Sequence, residues 1–223
     1  MNRKKLVIIL ICIFAALLAG AAGIYFVLNP SAPVLIDGYT PETKIICIDA
    51  GHGGSDPGAV NGERQEKDDN LTLALLVAGE LEALGYTPLL TRSDDSYLTL
   101  GDRCEIANEQ NAAYFVSLHR NSASESAKGV EVWISSKKTA AERKLAQKIM
   151  DALTEVGVQS ERGVKAGTQA STESDYSVNK NTKMPSCIIE LGFITNGEDN
   201  RLLDENMEEY ASAIARAIAE VME

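Results

Sequence analysis

Residues 44–59 read Lys-Ile-Ile-Cys-Ile-Asp-Ala-Gly-His-Gly-Gly-Ser-Asp-Pro-Gly-Ala. The apolar run from Ile45 to Ile48 is bounded by charged and turn-forming residues, a pattern typical of a strand buried on both faces. Glycines follow, and His52 stands where the predicted strand gives way to a loop. In an open α/β sheet, ligands bind beyond the carboxyl ends of the strands, so this histidine is predicted to lie where chemistry occurs.

The start of the chain is predicted to be a membrane anchor. Basic residues occur within residues 1–5, a predicted cytoplasmic tail, and no charged residue appears from Leu6 to Leu28. A helix over residues 6–28 would be about 34 Å long, enough to cross a hydrocarbon core of about 30 Å. This single span would place the rest of the chain on the extracytoplasmic side of the cell membrane. The alternative is a signal peptide cleaved near Ala19-Gly20-Ala21, which would make the protein secreted.

The rest of the chain is predicted to be a linker followed by one domain. Residues 29–43 contain three prolines and little hydrophobic pattern, which is typical of a tether. Residues 44–223, roughly 180 in number, suit a single domain that buries its own core. Because the formal charge is −11, no basic surface for nucleic acid is expected.

The cysteines do not indicate a disulfide scaffold or a thiolate metal site. There are four, they are scattered, and none forms a Cys-x-x-Cys pair. Cys47 and Cys187 lie in apolar runs typical of strands, so both are predicted to be buried. A disulfide between these two would require their strands to be neighbours.

Predicted strands and helices alternate along the domain. Hydrophobic periodicity predicts helices over residues 67–84, 100–111, 139–156 and 198–221, and strands over residues 45–48, 86–90, 112–118, 129–134 and 186–191. The strand at 129–134 is predicted to be an edge strand, and the polar residues 161–184 a long loop. The alternation predicts an α/β fold: a single three-layer domain, with a mostly parallel sheet covered by helices on both faces.

The only two histidines in the chain occupy equivalent places. His52 and His119 each directly follow a predicted strand, so both should project from the same edge of the sheet. Catalytic zinc sites often combine two neutral imidazoles with one carboxylate and leave a position open to water. Glu63 and Glu66, near the start of the next predicted helix, are both candidates for the carboxylate, and spacing alone does not choose between them.

The last predicted strand contains a glutamate in an apolar setting. Its residues 188–193 read Ile-Ile-Glu-Leu-Gly-Phe. A glutamate in such a strand costs free energy unless it is paired, hydrogen-bonded or functional. Its position near the strand end predicts that Glu190 is a general base. The alternative is a structural ion pair with Arg103 or Arg162.

Four segments occur in an order that indicates a known family. They are Asp-Ala-Gly-His-Gly-Gly at 49–54, Glu-Lys-Asp-Asp-Asn-Leu at 66–71, Ser-Leu-His-Arg-Asn at 117–121 and Ile-Glu-Leu-Gly-Phe-Ile-Thr-Asn at 189–196. Together they resemble the zinc-dependent N-acetylmuramoyl-L-alanine amidases of bacterial cell walls, the family often called amidase type 3. The resemblance implies one Zn²⁺ ion per domain, bound by His52, Glu66 and His119. It also matches Glu190 to the family's catalytic glutamate.

The resemblance implies a reaction and a partner as well. The expected enzyme is an autolysin that hydrolyses the amide between N-acetylmuramic acid and L-alanine of the stem peptide in peptidoglycan. Arg120 replaces a residue that is more often small or apolar in this family. Together with Asn121 and Arg162, it is a candidate for substrate binding, whereas Arg103 is expected to be structural. Whether an activator protein is needed is not indicated.

Other functions fit parts of the same pattern. A zinc peptidase acting on the stem peptide would use a His-x-x-Glu spacing, but Ser55 stands three residues after His52. A non-catalytic wall-binding or regulatory module of the same fold should have lost a ligand or the base, and all four positions are filled. An enzyme blocked by its own segment would need residues 165–184 to fill the cleft, and no apolar helix is predicted there.

Overall fold

A computed structural model describes residues 41–158 and 160–223. The strands are β1 (Ile45–Ala50), β2 (Val60–Asn61), β3 (Arg64–Gln65), β4 (Thr87–Leu90), β5 (Tyr114–Asn121), β6 (Val130–Ile134), β7 (Glu161–Ala166) and β8 (Ser186–Phe193). The helices are α1 (Glu66–Ala83), α2 (Leu100–Glu109), α3 (Ala140–Val156), α4 (Ser177–Asn181) and α5 (Gly197–Met222). The predicted tail, anchor and most of the linker lie outside these ranges. Within the described ranges, no helix combines the length and apolar character that a membrane span needs.

Six strands form one sheet in the order β4-β1-β5-β8-β6-β7. Neighbouring strands pair in parallel, except that β6 runs antiparallel to β8. Parallel pairing needs crossover connections, and the helices supply most of them. The predicted α/β fold with a mostly parallel sheet is therefore confirmed. A separate hairpin, β2 and β3, lies between β1 and α1.

Helices cover both faces of the sheet. Successive side chains of a strand point to opposite faces. In β5, Val116 packs in the larger apolar cluster with residues of α1, α3 and α5, while Phe115 packs in a smaller cluster with residues of α2 and α4. Phe115, Ser117 and His119 therefore point to the face of the sheet that carries the smaller cluster.

Two predictions about the second half of the domain were wrong. Residues 129–134 do not form an edge strand, because β6 lies between β8 and β7. The edge position is taken by β7, which belongs to the polar residues 161–184 predicted as loop. No residue of β7 is fully buried, so its sequence carries no apolar alternation to reveal it. The short helix α4 lies in the same stretch.

The cysteines of the described chain are free and buried. Cys47 lies on β1 in the smaller cluster, and Cys187 lies on β8 in the larger one. The two side chains thus face opposite sides of the sheet, and β5 lies between their strands. A disulfide between them is excluded by this placement.

The start of β1 and the end of α5 lie together, at the side of the sheet where the parallel strands begin. Lys44 Nζ lies 5.9 Å from the centroid of the Tyr86 ring, just ahead of β4. The hydroxyl of Tyr86 donates to the carbonyl oxygen of Ala219, near the end of α5, at 3.4 Å. The carboxyl ends of β1, β4, β5 and β8 all lie at the opposite side, where these strands finish.

Candidate metal centre

The predicted site residues meet at the carboxyl ends of β1, β5 and β8. His52 follows β1, and His119 lies directly opposite Glu190 in the register of β5 and β8. Side chains of directly opposite residues point to the same face of a sheet. The prediction that His119 follows its strand was wrong in detail, because β5 continues to Asn121.

One carboxylate links the two imidazoles. Glu66 Oε1 lies 2.8 Å from His119 Nδ1 and 3.3 Å from His52 Nε2. The two rings are nearly perpendicular, with their centroids 4.9 Å apart. Each of the three residues offers one ligand atom, and these atoms lie within 4.8 Å of one another. Two nitrogens and one oxygen in this arrangement could hold a metal ion.

Glu66, and not Glu63, joins this cluster. Its side chain is buried at the first residue of α1, whereas Glu63 is exposed in the β2–β3 turn. The backbone N–H groups of Ala59 and Arg120 donate to its carboxylate at 2.8 and 3.0 Å. Burial alone would raise the pKa of Glu66, but the hydrogen bonds and charges of the two histidines hold it well below its usual range.

The loop conformation of His52 is fixed by its neighbours. Its φ of 62° lies in the left-handed region, which is uncommon for a residue other than glycine. Arg103 donates to the carbonyl oxygens of His52 and Ala50, each at 2.7 Å. His52 Nδ1 donates to Asp56 Oδ2 at 2.8 Å. A carboxylate behind a ligand histidine fixes its tautomer, so His52 Nε2 is left to face Glu66.

Sequence reasoning missed Asp56. Its signal is the Asp-Pro-Gly turn four residues after His52, which brings the carboxylate back to the ring. The turn itself is fixed by Asp56, because Oδ1 accepts from the backbone N–H of Gly58 at 3.1 Å. One aspartate therefore shapes the loop and orients the histidine.

A buried ion pair between Asp49 and Arg103 lies next to the site, at the end of β1. Asp49 accepts hydrogen bonds from Arg103 Nη1 at 2.7 Å, Thr91 Oγ1 at 2.7 Å and Ser117 Oγ at 2.6 Å. A buried carboxylate needs such partners, and Asp49 has one from α2, one from β5 and one from the residue that follows β4. Arg103 is therefore structural, as expected from the sequence.

Glu190 differs from Asp49 because it lacks partners. Its Oε2 is buried and accepts no hydrogen bond from any residue in the described ranges. Burial raises the pKa of Glu190 to about 7. The alternative ion pairs do not form, since Arg103 pairs with Asp49 and Arg162 pairs with Glu131. An unpaired carboxylate beside three potential metal ligands indicates a functional role.

The structure argues against substrate contact by Arg120. Only 1% of its side chain is exposed, and its guanidinium contacts Asp69 and Asn200. It follows His119 in β5, so its side chain points to the other face of the sheet. The arginine braces α1 and α5 behind the site.

The other two predicted substrate contacts lie in different settings. Asn121 is buried at the end of β5, and its Oδ1 accepts from the backbone N–H of Ser122 at 2.8 Å. Arg162 lies on β7 with 38% of its side chain exposed, and it pairs with Glu131. Of the two, only Arg162 presents a charged group to solvent.

A cleft of about 370 Å³ opens beside the two histidines. Its wall includes Tyr97, Leu100 and Tyr176, supplied by the loop before α2, by α2 itself and by the residue before α4. Tyr97 is 54% exposed. A partly apolar cleft with a few convergent polar groups is typical of a site for an organic substrate.

Two glycines make room for the three candidate ligands. A Cβ at Gly51 would lie 2.4 Å from the His119 ring, and a Cβ at Gly58 would lie 2.6 Å from both Glu66 Oε2 and the His52 ring. A larger residue at either position would displace a ligand side chain. Together with the donor set and the unpaired Glu190, this shows that the residues present fit a metal ion.

A family model described as N-acetylmuramoyl-L-alanine amidase matches residues 46–221. The chain belongs to this family. The reaction named by the family is hydrolysis of the amide that joins N-acetylmuramic acid to L-alanine in peptidoglycan. The family and the enzyme class predicted from the four motifs are thus confirmed.

Two of the three relatives that follow are named as amidases. The protein named "Uncharacterized protein YqiI" of Bacillus subtilis is 42% identical over 178 residues, covering 79% of this chain and 82% of YqiI. The N-acetylmuramoyl-L-alanine amidase LytC of the same organism is 36% identical over 177 residues, covering 78% of this chain but only 34% of LytC. The solved CwlD amidase of Clostridioides difficile, in complex with the GerS lipoprotein, superposes with a TM-score of 0.74 at 32% identity, covering 81% of this chain and 98% of CwlD.

Proposed function

We propose that this amidase is metal-dependent and hydrolyses the bond between the lactyl group of N-acetylmuramic acid and L-alanine of the stem peptide. Family membership supports the bond and the substrate. The observation that carries the mechanism is the cluster of His52, Glu66 and His119 beside an unpaired Glu190. A zinc peptidase lacks comparable support, because the spacing of the ligands does not fit it.

His52, Glu66 and His119 would hold one divalent ion, and two imidazoles with one carboxylate favour zinc. When bound, such an ion lowers the pKa of water and polarises a carbonyl group. Asp56 would keep His52 Nε2 available as a ligand atom. The backbone N–H groups of Ala59 and Arg120, which donate to the Glu66 carboxylate, would hold it in place whether or not an ion is bound.

Glu190 would carry the proton through the reaction. Its carboxylate is not committed to any described residue, so it is free to accept a proton and return it. It would take a proton from the water that attacks the carbonyl carbon. As the C–N bond breaks, it would deliver that proton to the departing amine of L-alanine, leaving the lactyl group as a carboxylic acid.

The cleft wall would hold the part of the substrate that does not react. Tyr97 and Leu100 offer aromatic and aliphatic surface next to the histidines. The apolar face of a sugar ring can stack on such surface while its hydroxyl groups stay in water. This supports placing N-acetylmuramic acid on the side of β1 and α2.

We further propose that residues 6–28 anchor the enzyme as a single span, with residues 44–223 on the extracytoplasmic side. The uncharged apolar run and the basic residues ahead of it support this topology. Because CwlD was solved in complex with the lipoprotein GerS, a membrane-attached partner for this chain is proposed by analogy. Carbonate extraction of cell membranes would test the anchor, since an integral protein stays in the pellet and a secreted one does not.

The test of the reaction is mass spectrometry of purified peptidoglycan digested by the full-length protein, with added zinc and with a chelator. Free stem peptides that begin at L-alanine, formed only with metal, would support both the bond and the metal. Shortened peptides still attached to glycan would indicate a peptidase. No products from folded, zinc-loaded protein would contradict the proposed mechanism for the chain acting alone.

A further inference from the structure

A row of charged residues runs across the strands from the metal centre to the edge strand β7. Glu190 of β8 lies opposite His119 of β5 on one side and opposite Glu131 of β6 on the other. Arg162 of β7 then donates from Nε to Glu131 Oε1 at 2.5 Å. Four neighbouring strands thus contribute at least one charged or ionisable group each to the same face of the sheet.

Glu131 is a fixed anion in this row. Its Oε1 pairs with Arg162 and with Lys165 Nζ, the latter at 2.8 Å, and its Oε2 accepts from Trp133 Nε1 at 3.0 Å. Burial would raise the pKa of Glu131, but hydrogen bonds from Lys165 and Arg162 hold it below its usual range. Both oxygens are held by protein donors, so Glu131 is fixed in position.

Two cations share this one carboxylate, so both keep N–H groups that Glu131 does not use. The terminal nitrogens of Arg162 donate to no group in the described ranges, and 38% of its side chain is exposed. Lys165 is 33% exposed. The Arg162 guanidinium lies 5.1 Å from the Phe193 ring centroid, and Lys165 Nζ lies 5.3 Å from the Trp133 ring centroid. Aromatic rings and Glu131 therefore hold both cations in place before any ligand arrives.

We propose that Arg162 and Lys165 bind a free carboxylate of the stem peptide, and that Glu131 is the residue that positions them. This inference rests on the proposed function. It places the peptide along β6 and β7, on the side of the metal centre away from the wall formed by Tyr97 and Leu100. Because Nε donates to Glu131, the two terminal nitrogens of Arg162 remain to donate side by side to a planar carboxylate.

The spacing of the strands fits this placement. Neighbouring strands lie about 4.8 Å apart, so β7 is about 10 Å from β8, which carries Glu190. An extended peptide advances about 3.4 Å per residue. A carboxylate on the second or third residue of the stem peptide therefore comes within reach of Arg162 when the scissile amide lies at Glu190.

The test compares two soluble muropeptides that differ only at the second stem-peptide residue, where one has a free carboxylate and the other a carboxamide. With the full-length zinc-loaded enzyme, we expect kcat/KM to be about tenfold higher for the carboxylate substrate, as for one charge-assisted hydrogen bond. Arg162→Gln and Lys165→Gln should each remove most of this preference by raising KM for the carboxylate substrate alone. Arg162→Lys should restore part of it.

The control and a second measurement separate the possible failures. Arg201→Gln, which changes an exposed arginine paired only within α5, should behave as wild type. Calorimetric binding of the released peptides should show the same carboxylate preference without any turnover. The inference would be overturned if the Arg162 and Lys165 variants lost kcat/KM equally on both substrates. It would also be overturned if neither kinetics nor calorimetry showed a preference for the carboxylate. In both cases the proposed function stands. If wild type cleaved neither substrate, the proposed function would fail, and the peptide-binding preference would still decide the carboxylate site.

Discussion

At the scale of single residues, Glu190 combines two features. Its Oε2 is buried without a hydrogen-bond partner in the described ranges, and it lies opposite His119, a candidate metal ligand. Glu190→Gln keeps the shape of the side chain but removes its ability to carry a proton. We expect kcat to fall by about 100-fold or more, with zinc content unchanged, because general acid–base groups contribute about that much. Metal analysis and muropeptide kinetics check this. Normal turnover by the variant would exclude Glu190 as the proton carrier.

Gly58 tests the packing around the metal ligands. Its φ of 66° is strained for any other residue, and a Cβ there would press on Glu66 and His52. Gly58→Ala should weaken zinc binding by about tenfold or more, since an imposed shift of one ligand costs at least about 1.4 kcal/mol. Competition with a chromogenic chelator measures the affinity.

The matched control is Gly79→Ala, in the exposed part of α1, where a Cβ meets nothing within 4 Å. This change should leave zinc affinity unaltered and stabilise the fold by about 0.5–1 kcal/mol, because alanine loses less backbone entropy in a helix. Equal zinc affinity in both variants would show that Gly58 does not shape the site.

The candidate ligands and the candidate base could be picked out from the sequence because each lies in a local motif. His52 and Glu190 lie at or near the ends of apolar runs, and the family resemblance selected Glu66 over Glu63. Asp56 and Glu131 were missed, because their roles depend on contacts across a turn or between strands. The buried position of Arg120 follows from strand alternation, which becomes informative only once β5 is known to extend to Asn121.

At the scale of elements, Glu131 joins the edge strand β7 to β6 through Arg162 and Lys165. Its pKa is depressed in the folded protein, so its ionised form adds stability above the unfolded pKa of about 4.5. That stability is lost as the pH falls through the lower, folded pKa. Glu131→Gln should therefore cost about 1–2 kcal/mol at pH 7, a modest figure because both cations are partly exposed.

Urea unfolding followed by the fluorescence of Trp133, the chain's only tryptophan, would measure this. The difference in unfolding free energy between wild type and Glu131→Gln should shrink below about pH 4. A difference that stays constant from pH 7 to pH 3 would show that Glu131 acts through packing and not through charge.

Element prediction succeeded where apolar periodicity was strong and failed where it was weak. The apolar runs gave β1 and β8, and helical periodicity gave α3 and α5, to within a few residues. β7 was missed because an edge strand with exposed side chains is held by backbone hydrogen bonds to β6, which no side-chain pattern records. The alternation of Val130, Val132 and Ile134 with polar or larger residues predicted that β6 is an edge strand, although all five of its residues are buried.

At the scale of the whole molecule, metal binding should raise stability, because the three ligands come together only in the folded chain. At an ion concentration 100 times the dissociation constant, the gain is about 2.7 kcal/mol, or about 5–10 °C in Tm for a domain of this size. Differential scanning fluorimetry with zinc and with chelator measures the shift. His119→Ala should lose it, and Glu190→Gln should keep it. A shift that survives in His119→Ala would place the ion elsewhere.

The path of the chain has a practical consequence for handling the enzyme. β1 enters the sheet at the edge where Lys44, Tyr86 and Ala219 meet, and α5 returns to that edge after leaving β8. A bead, a surface or a fluorescent protein grafted ahead of Pro41 or after Glu223 would therefore join the domain at its back. The cleft would face outward from the graft, and an insoluble polymer too large to diffuse could still enter it.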